Sequence, residues 1–297
     1  MTKTETKKKT TPKTTTTTTK KKTNSTKTKS IPKLIQEENN YGKTLLAALL
    51  IIVVLLSSYF IIQNKQKGGE GKETPYVQTE NEKRFKEEYE SLNNTKRSNG
   101  IDHKNITIVE NNNIEYINMK RASEIISNEN GIIYFGFAAC PWCRNAVPVL
   151  LEAMENAGLD KIYYVDLKKD DLQANDVRGT YKLNEKGNKA IVDIQSAEGY
   201  KEVLKALDKY LPEYTLTNKN GKKISTGEKR LGGPTVVVVK DGKVLDYHAG
   251  TVEGHVKDEN GVLPDLTKEQ KENLYEKYSE MIMTYQDDTC PIDGDVC

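Results

Sequence analysis

The chain has 297 residues, 45 basic against 43 acidic side chains, 36% hydrophobic residues and four cysteines. Glycine without a period excludes a collagen-like chain, and four cysteines in so long a sequence exclude a small disulfide scaffold. The net charge of +2 sums unlike parts, because residues 1–43 hold twelve Lys against Glu5, Glu37 and Glu38, a net of +9, which leaves −7 for residues 44–297.

Residues 1–43 include the runs Thr14 to Thr19 and Lys20 to Lys22 and have the composition of a disordered tail, not of a packed core. Their charge suits anionic headgroups or nucleic acid, but no aromatic residue precedes Tyr41 to stack on a base, so no nucleic-acid partner is expected. From Leu45 to Ile62 runs LLAALLIIVVLLSSYFII, eighteen residues without a charge. As a helix this spans about 27 Å at ~1.5 Å per residue, close to the ~30 Å hydrocarbon core of a bilayer. Ser57 and Ser58 make a poor signal-peptide cleavage site. Residues 44–64 are therefore read as one transmembrane anchor. The lysines lie before it, which predicts a cytoplasmic N-terminus and an extracellular C-terminal domain in a single-pass protein of the cell membrane.

Residues 65–104 read as a linker with a short helix at Asn81 to Leu92, where Phe85, Tyr89 and Leu92 recur at helical spacing. The Asn-x-Ser/Thr triplets at Asn24, Asn93 and Asn105 are expected by chance in so Asn- and Thr-rich a chain. Strands or a hairpin are predicted at Ile106 to Val109 and Ile114 to Ile117, and a helix at Met119 to Ser127. A buried strand follows at Ile132 to Phe137, then a helix from Cys140 to about Ala157 and a strand at Lys161 to Leu167. Residues 168–230 form a polar stretch with one amphipathic helix, Ala197 to Leu211. Thr235 to Val239 and Lys243 to His248 form a hairpin through Asp241-Gly242, and a helix from Thr267 to Tyr285 closes the pattern. Strands alternating with helices, and an antiparallel pair late in the chain, predict an α/β fold around a mixed sheet.

The one sharp motif is Cys140-Pro141-Trp142-Cys143, between a predicted strand and a predicted helix. Both sulfurs then lie on the first helical turn, near enough to form or release a disulfide. Cys140 at the helix start meets the positive end of the macrodipole, and an interaction of about 1 to 2 kcal/mol lowers a thiol pKa of ~8.5 by about one unit. Cys140 is then the nucleophile, and the more shielded Cys143 resolves the mixed disulfide. Arg144 adds a nearby positive charge. The same spacing supplies half of many zinc sites, so a four-thiolate site with Cys290 and Cys297 competes with the redox reading, although no metal is the expectation adopted. Cys290 and Cys297 enclose PIDGDV and read as a structural disulfide, a second redox pair or free thiols. His103, His248 and His255 show no metal spacing.

Ile132 to Phe135 before the motif, Pro148 after it, and Gly233-Pro234-Thr235 leading into Val236 to Val239, Asp241-Gly242 and Gly250 together resemble a thioredoxin across residues 105–286. More narrowly, YFGFAACPWCRNAVPVLLEA resembles the membrane-tethered thioredoxin-like proteins of Gram-positive bacteria described as bacteriocin transport accessory proteins. The resemblance implies a thioredoxin-like fold with residues 168–230 inserted between the CxxC half and the cis-proline half, and residues 287–297 as a C-terminal extension. It places Pro234 as the cis-proline facing the dithiol, and Gly233 as a backbone partner for substrate in a groove that glycine leaves open. Pro141 and Trp142 would line the substrate path. Tyr134 stands where thioredoxins carry a buried acid, six residues before the first cysteine. Either another group serves as base or resolution is slower, and Glu152 is not assigned that part. Pro141-Trp142 is closer to the Pro-Tyr of glutaredoxins, but nothing supports glutathione binding. The direction of electron flow stays open, because potentials among such proteins span ~150 mV.

The implied function is a membrane-anchored extracytoplasmic thiol-disulfide oxidoreductase, with no cofactor beyond the Cys140/Cys143 dithiol. Its partners would be exported proteins or peptides and a membrane or extracellular redox protein. The alternative is a non-catalytic accessory or binding subunit of a peptide export system.

Overall fold

Five strands make one mixed sheet in the order β1-β3-β2-β8-β9, from Ile114–Tyr116 (β1), Gly131–Gly136 (β2), Ile162–Asp166 (β3), Thr235–Lys240 (β8) and Lys243–Ala249 (β9) in the computed structural model. The structure describes residues 77–287. The expected tail, the anchor at 44–64 and the pair Cys290 and Cys297 lie outside them. Strands β1, β3 and β2 run parallel, and β8 and β9 are antiparallel to their neighbours. Helices cover both faces of the sheet, an arrangement compatible with the fold that the sequence resemblance implies. No helix among the described residues is long and apolar enough to cross a membrane.

The period of two along each strand sorts side chains onto the two faces. Ile132, Tyr134, Val236 and Val238 meet helices α1 (Glu80–Glu90), α3 (Pro141–Asn156) and α5 (Lys268–Asp287) on one side. Ile133, Phe135, Val237 and Val239 meet α2 (Met119–Asn128) and α4 (Tyr200–Ala206) on the other. One row of the register carries Tyr116, Tyr164, Tyr134 and Val236 side by side. Tyr164 stacks on Tyr134 at 5.3 Å, and Tyr116 and Phe85 meet Tyr164 edge-on.

Helix starts follow from local chemistry. Thr79 and Glu82 close a capping box on α1, at 3.2 and 2.7 Å, and Thr267 and Gln270 do the same at α5, at 3.2 and 3.0 Å. Asn118 caps α2 through the N–H of Arg121. In the β8–β9 turn Asp241 and Gly242 take φ of +49° and +67°, as a two-residue hairpin turn of this hand needs.

Three expectations change. Residues 65–104 do not all act as linker, because α1 is part of the core: Phe85 and Tyr89 are fully buried. The domain therefore begins before residue 105. Ile106 to Val109 is not a strand, since its backbone is held by side chains of α1 and its C-terminal turn. Asn93 bonds both N and O of Ile106, Glu90 takes the N–H of Ile108, and Lys86 donates to its carbonyl. Finally, residues 168–230 contain two separate two-stranded sheets, Thr180–Leu183 (β4) with Ala190–Ile194 (β5) and Glu213–Thr217 (β6) with Lys223–Lys229 (β7). The helix expected at 197–211 ends at Ala206 and continues as a 3-10 turn, Asp208–Tyr210.

Candidate dithiol site

Cys140 is the N-cap of α3, with extended backbone (φ −73°, ψ 123°) and Pro141 at the first helical position. A cap residue turns its side chain back over the free N–H groups of the first turn, and proline there forfeits no bond. The Cys140 sulfur accepts the Cys143 N–H at 3.4 Å and donates to the Gly233 carbonyl at 3.3 Å. The Gly233–Pro234 peptide is cis, and this loop lies against Cys140. Both cysteines are unpaired thiols and buried. The Cys140 thiol is held below the ordinary cysteine range, first by its hydrogen bond with Cys143 and against the opposing effect of burial. The N–H groups of Cys143 and Trp142, and the charge of Arg178, add to the lowering. Burial pushes the Cys143 thiol well up, and its pairing with Cys140 pushes the same way. The two thiols are thus shifted in opposite directions, Cys140 down and Cys143 up.

Tyr134 and Tyr89 are fully buried in one apolar cluster with Cys143, and their hydroxyls share a hydrogen bond at 3.0 Å. Gly136 makes room for Tyr134, since a Cβ there would collide with its hydroxyl and ring. The side-chain position at Gly233 faces the interior. A Cβ on Gly233 would point inward, 3.1 Å from the Gly136 Cα, 3.3 Å from Leu167 and 3.4 Å from the Cys143 sulfur. Glycine lets the loop pack closely against the dithiol there.

Arg144 does not serve Cys140 as the sequence suggested. Its guanidinium is fully buried and turned away, donating to the carbonyls of Tyr89, Lys104 and Ala138 and to Asn93. The cation that acts on Cys140 is Arg178, from the segment between β3 and β4. It donates to the Leu231 carbonyl at 3.2 Å, beside the cis-peptide loop, and pairs with Asp176 at 2.7 Å. Against burial, which raises it, Arg178 and Lys168 hold the Asp176 carboxyl down to about 2. Glu152 is exposed on α3.

Trp142 is half-buried, with the Lys257 ammonium 4.9 Å from its ring centre. It walls a cleft of about 590 Å³ with His248, Thr251, Val252 and His255. Both histidines are held locally: His248 bonds the Thr251 carbonyl, and His255 bridges the Thr251 hydroxyl and the Pro264 carbonyl. No group of three or more His, Cys, Asp or Glu suited to a metal ion occurs among the described residues. Pro141, Trp142, Gly233 and Pro234 come together around Cys140. Tyr89, read from sequence only as part of a helical stripe, and Arg178 were not among the expected site residues, because they reach the site from distant segments and only the tertiary fold unites them. No family model matches the chain, and no curated protein sequence matches it.

Proposed function

We propose that the chain is a thiol-disulfide oxidoreductase on a thioredoxin-like fold, tethered by residues 44–64 to the outer face of the cell membrane and acting on exported proteins or peptides. One observation carries the reading: Cys140 caps a 16-residue helix, faces a cis-Gly233–Pro234 loop, and is backed by a second, fully buried thiol three residues on. The Cys140 thiolate attacks one sulfur of a substrate disulfide. A new S–S bond forms, the substrate bond breaks, and the second substrate sulfur leaves as thiolate. Cys143 then loses its proton and attacks the Cys140 sulfur, releasing the first substrate sulfur. Two electrons and two protons pass from the dithiol to the substrate, and the reverse sequence oxidises a substrate dithiol. Trp142 and the cleft beside it offer an apolar wall for the substrate, and the Gly233 carbonyl offers a backbone acceptor.

The test is a pair of variants. Cys140→Ser is expected to abolish turnover of a model disulfide, and Cys143→Ser to accumulate covalent adducts through Cys140. Wild-type Cys140 should also be alkylated ahead of Cys143 and keep its reactivity to lower pH than an ordinary thiol, because its pKa is lowered. Failure of the wild type to reduce or oxidise any model disulfide would sink the proposal. The Cys140/Cys143 reduction potential, measured against glutathione, gives the direction of electron flow.

A further inference from the structure

The two hairpins between β3 and β8 form one arm that is joined at both ends. At the root, Arg230 donates to the Gly179 carbonyl at 3.1 Å, and Arg178 donates to the Leu231 carbonyl at 3.2 Å, two residues before Gly233. Along the arm Tyr181 meets Tyr214 edge-on at 5.7 Å, and the Arg230 guanidinium lies 4.4 Å over the Tyr214 ring. At the far end the Asn218 side chain donates to the Gly187 carbonyl at 3.1 Å, which brings the β4–β5 and β6–β7 turns side by side. Both turns are fixed from within: Asn184 accepts the N–H groups of Asn188 and Lys189, and Asn218 those of Asn220 and Lys222. The strand from Lys223 back to Lys229 spans about 20 Å at ~3.3 Å per residue, so the joined turns stand one strand's length from the loop that touches Cys140.

This far end is basic on an acidic domain. Residues 77–287 hold 30 basic and 35 acidic side chains, a net of −5. Within them, residues 184–189 and 218–223 hold Lys186, Lys189, Lys219, Lys222 and Lys223 against Glu185 alone, a net of +4, which leaves −9 for the rest. All five lysines are exposed, and none has an ion-pair partner among the described residues. Like charges held together by two ordered turns repel one another, and an anionic partner relieves that repulsion. We infer that the joined turns are a docking site for an acidic stretch of the substrate polypeptide, one strand's length from the cysteine under attack. The inference rests on the oxidoreductase reading and names a substrate class for it. A polypeptide is favoured over a lipid surface because the arm is rooted on the loop that touches Cys140, so a chain crossing the dithiol reaches the turns in about six extended residues. Dithiol and turns then hold one molecule, and the second contact forms within the complex.

The experiment uses the reduced full-length chain in a non-ionic detergent, and peptides whose single cysteine is capped as a 2-pyridyl disulfide. Cys140 attacks the peptide sulfur; a new S–S bond joins enzyme and peptide, and the pyridyl sulfur leaves as coloured pyridine-2-thione carrying one proton. Cys143 then attacks Cys140 and frees the peptide thiol, so two electrons and two protons pass from the dithiol to the capped peptide. The peptides carry a block of Glu, Gln or Lys about seven residues from the cysteine, on either side, or a Glu block directly beside it. At low salt the distant Glu block is expected to speed thione release about tenfold over Gln, and the Lys block to give no gain. That gain should shrink to within about twofold in ~1 M salt, where charges act over only ~3 Å. With K186Q, K189Q, K219Q, K222Q and K223Q combined, the Glu-to-Gln ratio should fall to within about twofold of one, the urea midpoint serving to check the fold. If the combined variant does not fold, K219Q, K222Q and K223Q together decide by the same ratio, which should fall about threefold. The lysines of residues 1–43 are present in every chain tested, so a ratio unchanged in the folded variant assigns the effect to them and overturns the inference. A Glu block that helps equally beside the cysteine overturns it too. No difference between Glu and Gln peptides in wild type, with the five lysines shielded from amine labelling by phosphatidylglycerol vesicles, overturns it in favour of a lipid surface; no difference and no shielding leaves the turns without a partner and overturns it outright. Both leave the oxidoreductase reading intact. A wild type that releases no thione, or that forms the mixed disulfide and never frees the peptide thiol, overturns that reading and the inference with it.

Discussion

Asp166, at the end of β3, is a buried carboxylate held at a cost. Burial pushes its pKa from 3.8 up to about 6, and Glu88 adds to the rise, against one backbone hydrogen bond from Lys168 N–H at 2.8 Å. A carboxyl whose folded pKa lies above its unfolded value costs stability when it ionises, so the cost is present above about pH 6 and disappears as pH falls toward ~4. Asp166→Asn keeps an acceptor for the Lys168 N–H and removes the charge. It is expected to stabilise the protein by about 3 kcal/mol near neutral pH and by nothing below about pH 4, read from urea unfolding at both pH values. A loss of stability at neutral pH would show instead that the anion is needed. Gly233→Ala tests packing at the same scale. The added methyl meets Gly136, Leu167 and Cys143 at 3.1 to 3.4 Å. Overpacking of this kind costs about 1–3 kcal/mol, partly offset by ~0.4–1 kcal/mol from a stiffer unfolded chain. A net loss near 1 kcal/mol is expected, and no loss would mean that the loop yields.

Among the elements, those that announce themselves are the ones whose signal is local. Thr79-x-x-Glu82 and Thr267-x-x-Gln270 are capping boxes in the sequence as in the structure, and Asp241-Gly242 specifies its hairpin by φ alone. Cys140 and Cys143 are legible for the same reason, because three residues of helix fix their separation. The strands β4 to β7 escaped notice since neither face of them is buried: β5 alternates little and shows exposed Ile191 and Val192. Their turns, Lys186-Gly187 and Asn220-Gly221, were the available signal, with φ of +63° and +75° at the glycines. Ile106 to Val109 misled because its buried Ile106 and Ile108 keep the period of a strand while its hydrogen bonds go to side chains. Arg144 misled for a related reason, as sequence proximity to Cys143 says nothing of direction on a helix. Its guanidinium joins α3 to the end of α1 through carbonyls and Asn93. Arg144→Met leaves those acceptors unsatisfied in the interior, and a loss of about 3 kcal/mol is expected in urea unfolding. A variant as stable as wild type would show that water replaces the guanidinium there.

Taken as one body, the described chain places its first and last helices on the same side of the sheet, with the dithiol helix α3 beside them. Phe85 and Tyr89 of α1 and Tyr278, Met281 and Ile282 of α5 share one apolar cluster with Tyr134, Cys140 and Cys143. The segment that follows the expected anchor is therefore a wall of the site, and shortening the chain from its N-terminus should not be neutral. Removing residues 77–104 uncovers the ring of Tyr134, deletes two fully buried aromatic side chains and strips Arg144 of three of its acceptors, the Tyr89 and Lys104 carbonyls and Asn93. Loss of a buried aromatic costs about 3–5 kcal/mol, and two such losses approach the whole stability of ~5–15 kcal/mol that a domain has. A fragment of residues 77–287 is expected to unfold cooperatively with protected amides in β2 and β8, whereas a fragment of residues 105–287 should lack that protection and expose Cys143 to alkylation. Hydrogen exchange and thiol labelling of the two fragments make the comparison. A 105–287 fragment with the same midpoint in urea and an equally unreactive Cys143 would mean that α1 merely lies on the core, and would return the domain boundary to residue 105, where the sequence pattern and the resemblance put it.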